Sequence, residues 1–310
     1  MAEKIFLTGG TGFFGKSILD MIRNGWSSDS EFVILSRDPQ KFLADNPEYS
    51  ALKNVRFIAG DVRDFNFPNE KFDGIIHAAT PAVNTLAPGE MRSIIVEGTA
   101  HVLKFAGVCG AEKLLFTSSG AVYGPLPPGM THVPEDFPCN PVTEYGIAKL
   151  EAEKMCLSSG ISTRIVRCFA FTGPRLALDI HFAIGNFIRN GLNKENIVIS
   201  GDGTPYRSYL YADDLVRWLF AVYDSAHDGG IFNVGSDQGI TIAELAEKVA
   251  SHFDPAPEVR VLKTPVPGAL PQVYVPDVSR IREELHVVME HDLDSAIAGT
   301  IAFYRCAPQK

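Results

Sequence analysis

The chain has 310 residues, 45% of them hydrophobic, and 28 Lys and Arg set against 37 Asp and Glu leave a formal net charge of -9. It slightly exceeds the roughly 250 to 300 residues at which single cores stop growing, so one large domain with a smaller partner is expected. The acidic balance argues against a surface for nucleic acid or anionic membranes, which takes clustered Lys and Arg, and no apolar run approaches the roughly 18 residues needed to cross a bilayer.

The opening "MAEKIFLTGG" enters a strand-like pattern with no signal-peptide core, which points to the cytoplasm. The five cysteines (Cys109, Cys139, Cys156, Cys168 and Cys306) form no C-x-x-C pair and are odd in number, as expected of reduced thiols. The eight histidines are dispersed without metal-ligand spacing, so no metal site is expected.

In chain order, short runs rich in Val, Ile and Phe occur at 4–9 (KIFLTG), 31–36 (EFVILS), 55–60 (VRFIAG), 73–79 (DGIIHAA), 113–119 (KLLFTSS), 163–168 (TRIVRC) and 231–235 (IFNVG). They read as strands. Helix-length patterns lie at 13–24, 92–108, 145–158 and 212–224. Strand alternating with helix predicts an α/β fold, a Rossmann-type doubly wound parallel sheet covered on both faces. After residue 170 the pattern loosens. A loop-and-helix stretch spans 171–200, Thr241 and Glu244 stand in capping-box spacing, and 254–276 is too proline-rich for a helix interior. The dinucleotide-binding domain is expected over 1–170 with 206–236 returning to it, and a smaller C-terminal substrate-binding domain over 171–205 and 237–310.

Gly9, Gly12 and Gly15 lie between the first strand and the first helix, in "IFLTGGTGFFGKS". Glycine there permits a tight turn, brings backbone N–H groups up to a pyrophosphate and packs the helix on the sheet. The residue that meets the adenosine ribose follows the second strand, where an Asp or Glu suits NAD and an Arg suits a 2'-phosphate. Here the strand ends in Ser36 and Arg37. A hydroxyl and a guanidinium fit a phosphate better than a bare diol, so NADP(H) is favoured over NAD(H). The competing reading makes Arg37 a solvated loop charge and lets Asp38 bond the ribose. Asp61, in "GDVRD", is a candidate adenine contact or simply a turn residue.

Tyr145 and Lys149 in "TEYGIAKLEAEK" are four apart, which on a helix stacks them on one face. A phenol titrates near 10, so acid/base work near neutrality requires about 4 kcal/mol of stabilisation of its anion. A neighbouring ammonium and a positive nicotinamide could supply it. The plain alternative is a surface helix on which the two are chance neighbours.

Together, the T-G-x-x-G-x-x-G loop from Thr8 to Gly15, "HAA" at 77–79, S-x-x-x-Y-G at 119–124, Y-x-x-x-K at 145–149 and "RSYLYADDL" at 207–215 resemble the extended short-chain dehydrogenase/reductases that modify nucleotide sugars. The resemblance spans about residues 4–305. It implies catalysis by Ser119, Tyr145 and Lys149. Ser119 would hydrogen-bond the sugar oxygen, Tyr145 would move its proton, and Lys149 would bind the nicotinamide ribose and depress the Tyr145 pKa. It implies cofactor contacts at Thr8, Gly9, Gly12, Phe13, Phe14, Gly15, Ser36, Arg37, Asp61, Val62, Ala78 and Lys149. Substrate contacts would be Ser119, Tyr145, Arg207 on the diphosphate and His181 near the sugar and base. Asp214 is expected to cap or buttress a helix. Ala170 and Ile95 stand where the family often has Asn, and Ile95 leaves open the hydrogen bonding at the centre of the sheet.

Where the family's 4,6-dehydratases carry an Asp and a Glu after the catalytic hydroxyl, this chain has Gly120 and Ala121, which neither donate nor remove a proton. The resemblance therefore implies reduction of a 4-keto-6-deoxy nucleotide sugar by NADPH, with 4-epimerisation on a retained NAD as the alternative. A 4,6-dehydratase or a non-catalytic NADP(H)-binding protein ranks behind. A homodimer formed through the helices at 92–108 and 145–158 is also expected.

Overall fold

The apolar runs become the strands of one parallel sheet. They are β1 (Lys4–Thr8), β2 (Glu31–Ser36), β3 (Val55–Ala59), β4 (Gly74–His77), β5 (Lys113–Ser119), β6 (Ser162–Cys168) and β7 (Ile231–Val234). The computed structural model describes residues 3–26, 29–81, 86–87, 89–178 and 182–306. The strand order is β7-β6-β5-β4-β1-β2-β3. β1 pairs in parallel with β2 on one side and β4 on the other, so the winding reverses there, and ligands of such sheets bind outside the strand ends at that reversal. Phe6, Leu7, Ile34, Ile75, Ile76, Leu114, Leu115 and Val166 are wholly buried. Continuous apolar strands are what a sheet covered on both faces requires. Phe6 anchors one face, its ring 4.7 Å from Phe105 and 5.4 Å from Phe65 and Phe72.

Three helices carry or support the candidate site: α1 (Phe13–Arg23), α2 (Gly98–Cys109) and α3 (Glu144–Leu157). Thr143 starts α3 by accepting the Gly146 N–H at 3.1 Å. The pattern at 92–108 predicts one helix. In the structure it is a turn at Glu90–Arg92, a wide π turn at Ser93–Glu97 and then α2. Ile94, Ile95 and Val96 are buried in that turn, and the Thr99 hydroxyl donates to the Ile95 carbonyl at 2.6 Å.

The chain divides into two compact units. The first comprises Met1–Gly124, Pro138–Cys168 and Val216–Phe232; the second comprises Pro125–Phe137, Phe169–Leu215 and Asn233–Lys310. The division differs from the expected boundaries. Residues 206–215, expected with the sheet, fall in the second unit, where Tyr206–Arg207 pairs with both Ile240–Thr241 and Val273–Tyr274. Residues 125–137 join it as well. The Val133 N–H donates to the Val275 carbonyl and the Asp277 N–H donates to the Val133 carbonyl, and the Asn233 amide reaches the carbonyls of Val133 and Asp277. These pairings link residues far apart in sequence, so local pattern did not reveal them. The Thr241–Glu244 capping box forms as expected and opens the helix Ile242–Ala250. Within 254–276 the regular elements are two short strands, Val259–Val261 and Val273–Tyr274.

Candidate active site

The strand β5 ends at Ser119, which caps the short turn Gly120–Tyr123 by accepting the Ala121 N–H at 3.2 Å. The Ser119 hydroxyl is also hydrogen-bonded to the Tyr145 phenol. Gly146 makes this approach possible. A Cβ on Gly146 would lie 2.6 Å from the Ala121 carbonyl oxygen, so α3 reaches the turn only because position 146 has no side chain. The sequence reading passed over Gly146, although its place beside Tyr145 in "EYG" was the available signal.

One turn along α3, Lys149 is almost fully buried. Its ammonium donates to the Thr117 carbonyl at 2.6 Å and to the Thr80 hydroxyl at 2.7 Å. It stands 5.9 Å from the centre of the Tyr145 ring. Ser119, Tyr145 and Lys149 therefore converge, from β5 and α3. Their electrostatics differ from expectation, because burial dominates. Burial pushes the Tyr145 phenol up to about 12, opposed by the Ser119 hydrogen bond, and pulls Lys149 down to about 8. In the protein alone, Tyr145 is a neutral phenol suited to give a proton. Making it an anion near pH 7 takes about 7 kcal/mol, against about 4 for an ordinary phenol.

The loop between β1 and α1 has the shape a dinucleotide needs. Gly9 adopts φ +75, and a Cβ there would lie 2.4 Å from the Ala78 carbonyl oxygen; a Cβ on Gly15 would lie 2.1 Å from Gly10. Those two glycines are required by the chain's own packing. Gly12 is not. A Cβ on it would meet only the Gly9 oxygen, at an ordinary 3.4 Å. Gly12 is exposed at the N-terminus of α1 and provides no side-chain cap. Backbone N–H groups at a helix start fit a diphosphate. Phe13 and Phe14 follow as partly buried residues of the first turn.

The adenosine end is also defined. Ser36 is buried at the end of β2 and Arg37 is exposed beside it. The Asp38 carboxylate accepts the Lys41 N–H at 2.9 Å and caps the helix Pro39–Asp45. Asp61 accepts the Arg63 guanidinium at 2.7 and 3.0 Å and the Arg63 backbone N–H at 3.0 Å. That guanidinium, more than the Arg37 charge, holds its carboxyl below the usual range. Val62 is buried against the Cα of Gly98.

At the centre of the sheet a relay stands where Ile95 left the question open. The Ala79 N–H donates to the Thr8 hydroxyl oxygen at 3.2 Å, and Thr8 meets His77 Nδ1 at 2.7 Å. His77 Nε2 meets the Thr99 oxygen at 3.0 Å, and Thr99 in turn donates to the Ile95 carbonyl. Because Thr99 spends its proton on that carbonyl, it accepts from Nε2–H, and Nδ1 accepts from Thr8. The ring is neutral, and its burial draws the pKa down to about 3.

The remaining candidates lie in the second unit. Arg207 donates to the Tyr206 carbonyl at 2.8 Å, with its guanidinium 5.8 Å from the Tyr274 ring. Asp214 is buried and accepts the N–H groups of Glu290 and His291 at 3.1 and 3.0 Å, with His291 Nδ1 at 3.2 Å. Asp214 stands in the first turn of the helix Ala212–Asp224 and joins that helix to residues 290–291. His181 lies outside the described residues. Among the described residues no group of three or more His, Cys, Asp or Glu side chains could hold a metal ion, and no helix is long and apolar enough to cross a membrane.

Residues 5–235 match the NAD dependent epimerase/dehydratase family. The chain belongs to this family. It is 30% identical over 321 residues to UDP-glucuronic acid decarboxylase 1 of Arabidopsis thaliana, covering 97% of this chain and 70% of that protein. It is 26% identical to UDP-N-acetyl-alpha-D-glucosaminuronate decarboxylase of Bacillus cytotoxicus, covering 98% of each. The fold matches that of UDP-N-acetylglucosamine 4-epimerase from Methanobrevibacter ruminantium M1 at a TM-score of 0.84 and 22% identity, covering 98% of each chain. The extended short-chain dehydrogenase/reductase fold expected from the motifs is the fold observed.

The buried lysine gives a pH test. Folded, Lys149 releases its proton near pH 8, whereas an unfolded chain keeps it to about 10.5. Stability therefore rises with pH across that window. Lys149→Met removes this titration, so its stability relative to the native chain is highest below pH 8 and falls by up to about 3 kcal/mol as pH approaches 10.5. Denaturation curves of both proteins across that range check it; a constant difference would show that the ammonium is not held against its solvation.

Proposed function

We propose that this member of the family transfers hydride at C4 of a nucleotide sugar, and that its net reaction is reduction of a 4-keto-6-deoxy nucleotide sugar by NADPH. The observation that carries the reading is the hydrogen-bonded pair of Ser119 and Tyr145 with Lys149 one helical turn behind. The loop of Gly9, Gly12 and Gly15 would hold the dinucleotide, whose nicotinamide supplies the hydride. Ser119 donates a hydrogen bond to the C4 carbonyl oxygen and polarises it. As the carbon gains hydride, Tyr145 gives its proton to that oxygen, so the ketone gains one hydride and one proton and becomes an alcohol. Burial suits the phenol to this direction, since it keeps the proton in place until the alkoxide forms. Lys149 lies behind the phenol and opposes the charge left on it. Gly120 and Ala121 provide neither the acid nor the base that elimination of water requires.

NADP(H) is favoured by Ser36 and Arg37, and the use of Asp38 as a helix cap leaves Arg37 as the charged group best suited to a 2'-phosphate. Arg37→Ala should weaken NADPH binding by about 10-fold or more while leaving NADH within about 2-fold, since a charge-assisted bond is worth roughly 1.5–3 kcal/mol. Fluorescence titration with both cofactors measures it, and equal losses for the two would remove the 2'-phosphate reading.

A second reading, 4-epimerisation on retained NAD, is supported by the family's kin. One of similar fold is a UDP-glucuronic acid 4-epimerase from Bacillus cereus, solved with a UDP-sugar and NAD at a TM-score of 0.82 and 22% identity. The decarboxylase relatives add a third product to look for, because a hexuronic acid oxidised at C4 is a β-keto acid and can lose carbon dioxide without a further acid–base pair. Incubation of the purified protein with a 4-keto-6-deoxy nucleotide sugar and NADPH should consume NADPH and give the alcohol. Tyr145→Phe should lower turnover by 100-fold or more, a general acid being worth about 10²–10⁴. Tightly held NAD released on denaturation, with C4 inversion of a UDP-sugar and no NADPH oxidation, would establish the epimerase instead.

We also propose a homodimer through α2 and α3, whose outer faces expose Val108, Ile147 and Leu157. Sedimentation should give twice the 33.8 kDa chain mass; a monomer at micromolar concentration would contradict it.

A further inference from the structure

Continuing along the face of α3 that carries Tyr145 and Lys149, the next residue at the same spacing is Glu153. It is almost fully buried, 2% exposed, and so is its partner Arg167 on β6, 4% exposed. Arg167 grips the carboxylate with two nitrogens, Nε to Oε1 at 3.1 Å and Nη2 to Oε2 at 2.9 Å. Oε1 also accepts the hydroxyl of Ser118, the residue immediately before Ser119. The guanidinium lies 4.8 Å from the ring centre of Tyr123, at the far end of the turn that Ser119 opens. One ion pair thus joins α3, the ends of β5 and β6, and the turn that carries the catalytic hydroxyl. In the β5–β6 register Ser118 stands opposite Arg167 and Ser119 opposite Cys168.

Three polar contacts then tie α3 to the end of β5. Tyr145 meets Ser119, the flexible Lys149 side chain reaches the Thr117 carbonyl, and two turns on from Tyr145 Glu153 meets Ser118. Each residue advances an α-helix by about 1.5 Å, so a slip of α3 by one position along its axis breaks a hydrogen bond of ordinary length. The apolar contacts of Ala148 and Ala152, both small and fully buried, are non-directional and resist such a slip weakly. A bidentate pair does not, because it holds only where the guanidinium and carboxylate planes coincide. Burying two charges is a poor way to gain stability, since apolar residues of the same volume commonly serve as well; the best-attested use of such pairs is to fix register.

We propose that the buried Glu153–Arg167 pair is a positioning device for the reaction, setting where α3 lies along the sheet and therefore whether the Tyr145 phenol meets Ser119. This rests on the reading of Ser119 and Tyr145 as the catalytic pair. Glu153 touches neither substrate nor cofactor and acts only through the position of Tyr145.

The test uses the full-length protein. In Glu153→Gln, NADPH affinity and KM should stay within about 3-fold of the native values, while kcat falls about 10- to 100-fold, the order expected when a general acid is misplaced. The pH at which Tyr145 titrates in the cofactor complex, read from the pH profile of single-turnover hydride transfer, should move upward, because the Ser119 hydrogen bond that lowers it is stretched. If Glu153→Gln folds poorly, the double variant Glu153→Met with Arg167→Met removes both charges at similar volume; it should melt near the native temperature yet keep the low kcat and the shifted profile. A double variant with native kcat and an unshifted profile would overturn the proposal and leave the pair a structural one. Tyr145→Phe serves as the separate control. If that variant keeps turnover, the catalytic reading itself fails; if it loses turnover while both Glu153 variants behave as native, only the positioning role fails.

Discussion

Helix α3 rests against the turn after β5 at Gly146, where a side chain has no room beside the Ala121 carbonyl. That single close approach brings a phenol on a helix within hydrogen-bonding reach of a hydroxyl at a strand end. The other features of the candidate site elaborate this contact. Lys149 lies one turn behind it, anchored on Thr117 and Thr80, and Glu153 lies two turns behind, clasped to Arg167 and Ser118. Three polar side chains at four-residue spacing are an unusual load for a buried helix face. Each is matched by a fixed partner, which is what makes their burial tolerable.

The same enclosure sets the chemistry. Burial is the largest cause that brings the phenol up to about 12 and the ammonium down to about 8. Both shifts disfavour the charged forms, so the protein by itself sets a proton donor beside a weakened cation. Charge arriving with a nicotinamide would act on both at short range and in a low dielectric, where it counts for most. A site of this kind is therefore tuned by what enters it. His77 is the contrasting case. It is equally enclosed and held near 3, but its two nitrogens are committed to Thr8 and Thr99. It remains neutral throughout the working range and serves as a spacer between the glycine loop and the π turn.

Ile95 shows how a departure from a family pattern can be absorbed. The side chain that would be polar is apolar and buried, and the carbonyl of that residue takes the Thr99 proton instead. The backbone widens there into a π turn, a local geometry that frequently accompanies functional positions. The hydrogen bonding at the sheet centre is thus carried by Thr8, His77 and Thr99.

The seven strands, the glycine loop and the pairing of Tyr145 with Lys149 were legible in the sequence, because each follows from local spacing. Apolar runs of strand length between helical periods specify a covered parallel sheet, and four residues on a helix specify a shared face. What lay beyond local pattern was contact between distant segments. The placement of 125–137 with the C-terminal strands depends on backbone bonds between Val133, Val275 and Asp277, and no residue type announces such bonds in advance. Charge behaved likewise. The sequence shows that a lysine lies near a tyrosine, but whether that ammonium lowers the phenol's pKa or is itself neutralised depends on how much water the fold removes from both. Only the packed structure determines that, because desolvation depends on every neighbouring atom, whereas spacing depends on one helix.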